Sequence, residues 1–408
     1  MYNINQHRLL ADLDALAAIG CTPDGGISRP AMSFTDVEGR SWFQQRVNEF
    51  GLEFRADGAG NLSAILPSTS ASAQTLLMGS HLDSVPNGGR FDGVLGVLSA
   101  LEVLRTVSET ELKLPVHLEA ISFTDEEGQL LALIGSRAVA GLLTEADLQQ
   151  PRGNLEGLHA GMQRLGITSE SVLNARRADI LAYLEIHIEQ GTRLEEASLN
   201  LGVVTSIVGV RSFWLRFIGQ SAHAGTMPMQ KRADALWGAT AFIQAARTLI
   251  MEHFFPGVMN VGQLYIQPSA FNSVPAEVKL ALEFRHGTTP QLDEMETALF
   301  DLAQQAAQQS GLTLEIECVG RYTPAQMDEA LMRAIEIAAD MLDLSHTRLL
   351  SFAGHDAQSL STITPSGMIF VPSVGGISHS PLEFTKPEEV INGANTLLQT
   401  VLNLAQNI

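Results

Sequence analysis

An α/β domain interrupted by a smaller α+β domain is the fold that this 408-residue sequence predicts, and three observations predict it. Strand-like and helix-like segments alternate through the first 210 residues. From Ser212 the order becomes strand-helix-strand-strand-helix-strand, and after about residue 326 the first texture resumes. Residues 1–210 and 326–408 are therefore expected to form the larger domain, and residues 211–325 the insert. The length agrees, because 408 residues exceed what one ordinary core accommodates.

In chain order, the larger domain shows strands at Asn61–Ile65 and Leu76–Gly79, then a helical pattern from Asp92 with Val94, Leu95, Val97, Leu98, Leu101 and Leu104 on one face. A strand at Val116–Phe123, a helix near Ala138–Leu143 and a strand at Leu181–Ile188 follow. The insert opens on Trp214-Leu215-Arg216-Phe217 and continues with a helix over Ala233–Met251 and strands at Val258–Ile266 and Val278–Phe284. It ends with a helix over Leu292–Gln308 and a strand at Leu312–Cys318. A helix at Asp328–Met341, an apolar strand at Met368–Val371 and a helix at Glu388–Ala405 close the chain.

Composition excludes several function classes. Hydrophobic residues make up 45% and charged residues 17%, enough for packed cores. The net charge of −20 opposes binding to nucleic acid or to an anionic membrane surface, so an anionic substrate must be met by local cations. Cys21 and Cys318 stand far apart without a disulfide framework, which fits a reducing compartment. Arg8, Asp12 and Asp14 interrupt the amino terminus where a signal peptide needs an apolar core, and no run approaches the ~20 apolar residues of a membrane span. The expected location is the cytoplasm.

The chemistry begins where Thr75-Leu76-Leu77-Met78 runs into Gly79-Ser80-His81-Leu82-Asp83. His81 is expected at the carboxyl end of a strand and Asp92 in the first turn of the next helix; ligands collect at that edge of an open α/β sheet. Thr124-Asp125-Glu126-Glu127-Gly128 follows another strand. Such a run reads as a solvated turn, or as a metal ligand beside a general base. The alternation of Leu184 to Gly191 puts Glu185, His187 and Glu189 on one face, and Gly375-Gly376-Ile377-Ser378-His379 sets another imidazole in a glycine-rich loop. A single buried histidine is more often a satisfied core residue than a ligand. Joined, His81, Asp92, Glu127, His187 and His379 supply three imidazoles and two carboxylates, a donor set suited to zinc, manganese, cobalt or nickel.

These stretches, together with His223-Ala224-Gly225-Thr226-Met227-Pro228-Met229 and Gly376-Ile377-Ser378-His379-Ser380-Pro381, resemble the peptidase M20 family in its amidase/carbamoylase branch. The branch hydrolyses allantoate, N-carbamoyl-L-amino acids or N-carbamoyl-β-alanine, and the likeness runs over almost the whole chain. It implies a mixed-sheet dinuclear metallohydrolase domain with a ferredoxin-like insert that acts as dimerisation domain and lid. Two divalent ions per subunit, zinc or manganese, cobalt or nickel, would share Asp92. His81 and His187 would complete one site, Glu127 and His379 the other. Glu126 would carry the proton from water to the leaving nitrogen, and Asp83 would orient His81.

The resemblance further implies that His223 steadies the oxyanion in the partner subunit's active site, which makes the protein a homodimer. Asn272, within Phe271-Asn272-Ser273-Val274-Pro275, and Arg285 would hold the substrate carboxylate, although Glu283 could instead neutralise Arg285. Gln190 would donate to the carbamoyl or amide group, and Gly354 would let backbone approach the substrate, with His355 and Asp356 left to local hydrogen bonding. Val210 stands where the allantoate enzymes carry Gln, which weighs against allantoate, and Gln129–Ile134 is apolar where the branch carries Arg-Phe. The expected activity is metal-dependent cleavage of a linear amide C–N bond in a small N-carbamoyl amino acid or related ureido acid. An aminoacylase or dipeptidase of the same fold is the nearest rival, and a noncatalytic ligand-binding or scaffold descendant the remote one.

Overall fold

Apolar runs bounded by Gly, Pro, Asn and Asp become strands where neighbouring runs can take up their backbone hydrogen bonds. In a computed structural model, which describes residues 2–406 except 71, 111 and 153, these are β1 (Glu53–Ala56), β2 (Leu62–Leu66), β3 (Thr75–His81), β4 (His117–Phe123), β5 (Ile180–Ile188), β6 (Leu201–Ile207) and β7 (Gly209–Ile218). They continue with β8 (Val258–Gln267), β9 (Glu277–His286), β10 (Thr313–Tyr322), β11 (Ala325–Gln326), β12 (His346–Ser351) and β13 (Ser366–Val371). The chain divides into two units, Met1–Thr205 with Met327–Ile408, and Ser206–Gln326.

The first unit is built on a mixed sheet in the order β1-β2-β4-β3-β5-β13-β6, with β12 beside β6. Its centre is parallel, β4, β3, β5 and β13 in sequence, while β1, β2 and β6 pair antiparallel. Every residue of β3 and β13 is buried, as expected of parallel strands covered on both faces. The helix Val94–Ser108 is buried all round as far as Val107, not along one stripe. Its buried Glu102 and Arg105 pair with Arg8 and Asp12 of the amino-terminal helix Gln6–Ala17, at 2.7 and 2.5 Å. Fully burying each of its Leu or Val side chains contributes about 1.5–3 kcal/mol, so this helix anchors the unit.

Two expectations need correction. Asp92 does not lie in the first helical turn; Gly93 is the N-cap, at φ +65°, and Asp92 precedes it. A Cβ at Gly93 would sit 2.4 Å from the His81 ring, so helical geometry starts only after that crossing. The helix placed near Ala138–Leu143 spans Ile134–Ala140 and ends at Gly141 in the left-handed region.

The second unit is an antiparallel sheet in the order β10-β7-β9-β8, carrying helices Ala235–His253 and Thr289–Gln309. Burial alternates strictly along β7 and β9, so Phe213, Leu215, Phe217, Leu280, Leu282 and Phe284 join the apolar faces of both helices in one core. No helix among the described residues is long and apolar enough to cross a membrane. Cys21 and Cys318 are both free and exposed.

Candidate active site

The parallel centre of the first sheet ends three strands close together. His81 is the last residue of β3, His187 the penultimate residue of β5, and Glu126 and Glu127 follow β4. His379 comes from the loop after β13, and Asp92 from the turn before the buried helix. Two groups of donor atoms result, His81 with Asp92 and His187, and Asp92 with Glu127 and His379, each with its atoms within 4.8 Å of one another. Asp92 belongs to both.

Its two carboxylate oxygens face opposite ways. Oδ1 lies 3.0 Å from His187 Nε2 and 3.7 Å from His81 Nε2, while Oδ2 lies 3.3 Å from His379 Nε2, which is itself 3.5 Å from Glu127 Oε2. The Nδ1 atoms of His81 and His187 meet the main-chain carbonyls of Asp83 and Ile188 at 3.0 and 2.9 Å. A carbonyl only accepts, so both Nδ1 atoms carry protons, and the atom of each ring that is left to ligate a cation is the Nε2 that faces the Asp92 carboxylate. Three Nε2 atoms aimed at one buried carboxylate form a place that a proton or a divalent cation can fill. The donor set therefore fits a divalent metal on its own geometry.

Charge balance points the same way. Burial pushes Asp92 up, but hydrogen bonds from His187 and His379 hold it well below the usual carboxylate range. Burial also works against charging His187, yet Asp92 carries its pKa up to about 9; His379, bonded to the same carboxylate, also rises to about 9. His81 is pushed down to about 4 by burial. Burial and Asp92 raise Glu127 to about 7. Glu126 goes well above its ordinary value, through burial and then the charges of Asp356, Glu127 and Asp83. Its Oε2 stands 3.6 Å from His81 Nε2.

The local backbone is specialised to present these groups. Asp125, Gln190 and His379 all take positive φ, at +53°, +57° and +54°, conformations that cost about 1–3 kcal/mol each and persist where surroundings over-determine them. The Asp125 carboxylate accepts from the amides of Gln129, Leu130 and Leu131 at 2.8, 3.0 and 2.6 Å, so it closes the acidic turn instead of facing the donor cluster. That turn aims the apolar segment away: Leu131 and Ile134 pack with Met32, Leu158 and Met162 in a satellite core. Glu189, expected beside His187, accepts from the amides of Arg193 and Leu194 at 3.0 and 2.9 Å and starts the short helix Arg193–Ala197.

Asp83 orients His81 through its main-chain oxygen; its carboxylate is 3.8 Å from Nδ1 and turns to accept from the Glu127 amide at 3.3 Å. Gln190 spends its Nε2 on Asp92 Oδ2 and Ser378 Oγ, at 2.9 and 3.2 Å, and its buried Oε1 has no hydrogen-bond partner among the described residues. The side chain expected to donate to a substrate therefore offers an acceptor. Exposed Gly354 precedes buried His355, whose ring meets His187 edge-on at 4.4 Å and whose Nε2 contacts Ser351 Oγ at 2.9 Å.

His223, Asn272 and Arg285 lie in the second unit. His223 is exposed, and its loop is joined to the Asn272 loop by the Ala224 amide on Asn272 O at 2.9 Å. Arg285 donates to Glu283 Oε1 from Nε and Nη2 at 2.9 and 2.7 Å. The sequence assigns no role to Glu185, Ser378 or Glu383. Glu185 is buried between β3 and β13, accepting from Ser80 Oγ at 2.7 Å and the Ala357 amide at 3.0 Å. Its place on the His187 face was the only available signal.

Known proteins resemble the chain over nearly its whole length. The chain is 36% identical to N-carbamoyl-L-amino acid amidohydrolase of Geobacillus stearothermophilus, with 99% of each chain covered. It is 33% identical to allantoate amidohydrolase of Bacillus subtilis, with 96% of each covered. The crystal structure of an amidase of the hydantoinase/carbamoylase family from Burkholderia multivorans superposes with a TM-score of 0.91 at 34% identity, covering 99% of this chain and 98% of that one. The model of peptidase family M20/M25/M40 matches residues 77–403, which take in His81, Asp92, Glu126, Glu127, His187 and His379, and the chain belongs to that family.

Proposed function

We propose that this protein is a divalent-metal-dependent amidohydrolase that cleaves the linear amide C–N bond of a small N-carbamoyl amino acid or related ureido acid. The observation that carries the reading is the convergence of three imidazoles on opposite oxygens of one buried carboxylate, with a second carboxylate, Glu126, at their edge. His81, His187 and Asp92 would hold one ion; Asp92, Glu127 and His379 would hold the other. Such ions, zinc or manganese, cobalt or nickel, supply Lewis-acid polarisation and lower the pKa of water. Glu126 takes a proton from the attacking water and passes it to the leaving nitrogen. Asp83 keeps His81 in the tautomer that exposes Nε2.

The substrate reading rests on which hydrogen-bonding atoms remain. Gln190 Oε1 is an acceptor without a partner among the described residues, which suits the N–H of a carbamoyl group and not the methyl of an acetyl group. Arg285, set by Glu283, presents a guanidinium to the substrate carboxylate, with Asn272 beside it in that role, and Gly354 leaves room for the substrate main chain. Val210 lies directly opposite Arg285 in the β7–β9 register, an apolar neighbour that favours an N-carbamoyl amino acid over the second ureido group of allantoate. His223 donates to the developing oxyanion. We further propose a homodimer built on the second unit, which also serves as a lid: β8 is an edge strand with Val258, Leu264 and Tyr265 exposed. Two free cysteines support a reducing, cytoplasmic location.

A substrate panel tests the reading. kcat/KM on N-carbamoyl-L-amino acids is expected to exceed that on the matching N-acetyl amino acids and dipeptides by at least about 100-fold, because an unmet buried acceptor is penalised on the wrong substrate. Equal turnover of N-acetyl and N-carbamoyl compounds would make the protein an aminoacylase and overturn the substrate assignment.

A further inference from the structure

We infer that Glu383 is a positioning residue that pins the His379 loop to the Asp92 turn and so builds the second of the two proposed ion sites; the inference rests on the dinuclear reading above. Glu383 is 4% exposed and lies 292 residues from the amide it holds at 2.8 Å, that of Phe91. The same Oε1 accepts from the Asp92 amide at 3.1 Å. Its Oε2 stands 2.9 Å from Ser378 Oγ, which is also 2.9 Å from Asp92 Oδ2. One hydroxyl proton thus serves two carboxylates, and the chain Glu383–Ser378–Asp92 closes a ring through the Asp92 main chain.

The surroundings are shaped for this carboxylate. A Cβ at residue 89 would fall 1.9 Å from the Glu383 carboxyl carbon, so the glycine there leaves the space that Glu383 fills. The base of the loop is closed by the Val374 amide on Phe384 O at 2.9 Å and by Thr385 Oγ1 on Pro372 O at 3.0 Å. Between those ties His379 is half-exposed and in the left-handed region, unlike His81 and His187, which sit at buried strand ends. His379 needs an added constraint, and Glu383 provides it four residues on.

The effect should fall on one half of the centre. The main chain at Phe91 and Asp92 is held independently by the amides of Leu95 and Val94, at 2.9 and 2.7 Å. Asp92 Oδ1 and its two histidines share no hydrogen bond or ion pair with Ser378 or Glu383, whereas Oδ2 depends on Ser378 and Gln190. Losing Glu383 therefore loosens Oδ2 and His379 and leaves the His81–Asp92–His187 group in place.

The test is a cobalt(II) titration of the full-length protein, read by visible absorption and by metal per chain after gel filtration, with thermal melts alongside. Wild type is expected to take two equivalents. Glu383→Ala should keep the first at wild-type affinity and weaken the second at least tenfold. Glu383→Gln keeps the acceptor for both amides and should recover most of that loss. Two equivalents at wild-type affinity in Glu383→Ala, or equal weakening of both, would overturn the inference while the dinuclear reading stands. A wild type that takes only one equivalent would overturn that reading, and the inference with it. If Glu383→Ala does not fold, Ser378→Ala decides: it must weaken the second ion alone, and unchanged binding refutes the relay.

Discussion

Glu126→Gln is expected to lower kcat by about 10²–10⁴-fold, the range that a positioned general base supplies, with bound metal and melting temperature unchanged. The amide has the shape of the carboxylate and keeps its place 3.6 Å from His81 Nε2, but it cannot accept a proton from water. Glu126 belongs to neither donor group, so metal retention separates loss of the base from loss of the site. Steady-state kinetics with elemental analysis on the same preparation measures both. A variant with full metal and undiminished kcat would show that the base lies elsewhere.

Chelation should abolish turnover and also change how stability depends on pH. Without cations, His187 and His379 have pKa values raised from the ordinary 6.5 to about 9, so each contributes stability that is complete below about 6.5 and is lost as pH rises through about 9. Glu127, raised to about 7, loses its contribution earlier in the same direction, as pH rises from about 4.5 to 7. His81 runs oppositely, losing stability as pH falls from 6.5 towards about 4. With divalent ions present the trend on the alkaline side reverses, because protons no longer compete for the imidazoles and ion binding strengthens. Ions at about 100 times their dissociation constant stabilise by about 2.7 kcal/mol. The gap in melting temperature between loaded and chelated protein should therefore widen from pH 6.5 to pH 9. A gap that is constant or narrows would contradict the assignment of His187 and His379 as ligands.

What could be read from the sequence, and what could not, divides along physical lines. β3, β5 and β13 are legible because buried parallel strands are predominantly apolar runs, and their ends mark where His81 and His187 fall. The helix Phe34–Glu49 is not, because its buried side includes Asp36, Gly39 and Arg40, and although Gln6–Ala17 buries Leu9, Leu13 and Leu16, its charged contacts, Arg8 on Glu102 and Asp12 on Arg105, are hidden. Such pairings over 90 residues or more leave no periodic trace. The five metal-ligand candidates are recognisable because each sits at a strand end, beside glycine or, for His379, in a glycine-rich loop. Glu383 is not, since its meaning depends on amides near the other end of the chain and on the space above Gly89. Gln190 was recognisable as a site residue, but which end of its amide faces outward depends on Ser378 and Asp92.

The most direct measurement is anomalous diffraction from crystals grown with zinc, collected on both sides of the metal edge. Two peaks about 3.5–4 Å apart are expected, one on each side of the Asp92 carboxylate, the first bonded to His81 and His187 and the second to Glu127 and His379. A single peak, or density that leaves Asp92 outside the coordination of either ion, would contradict the account.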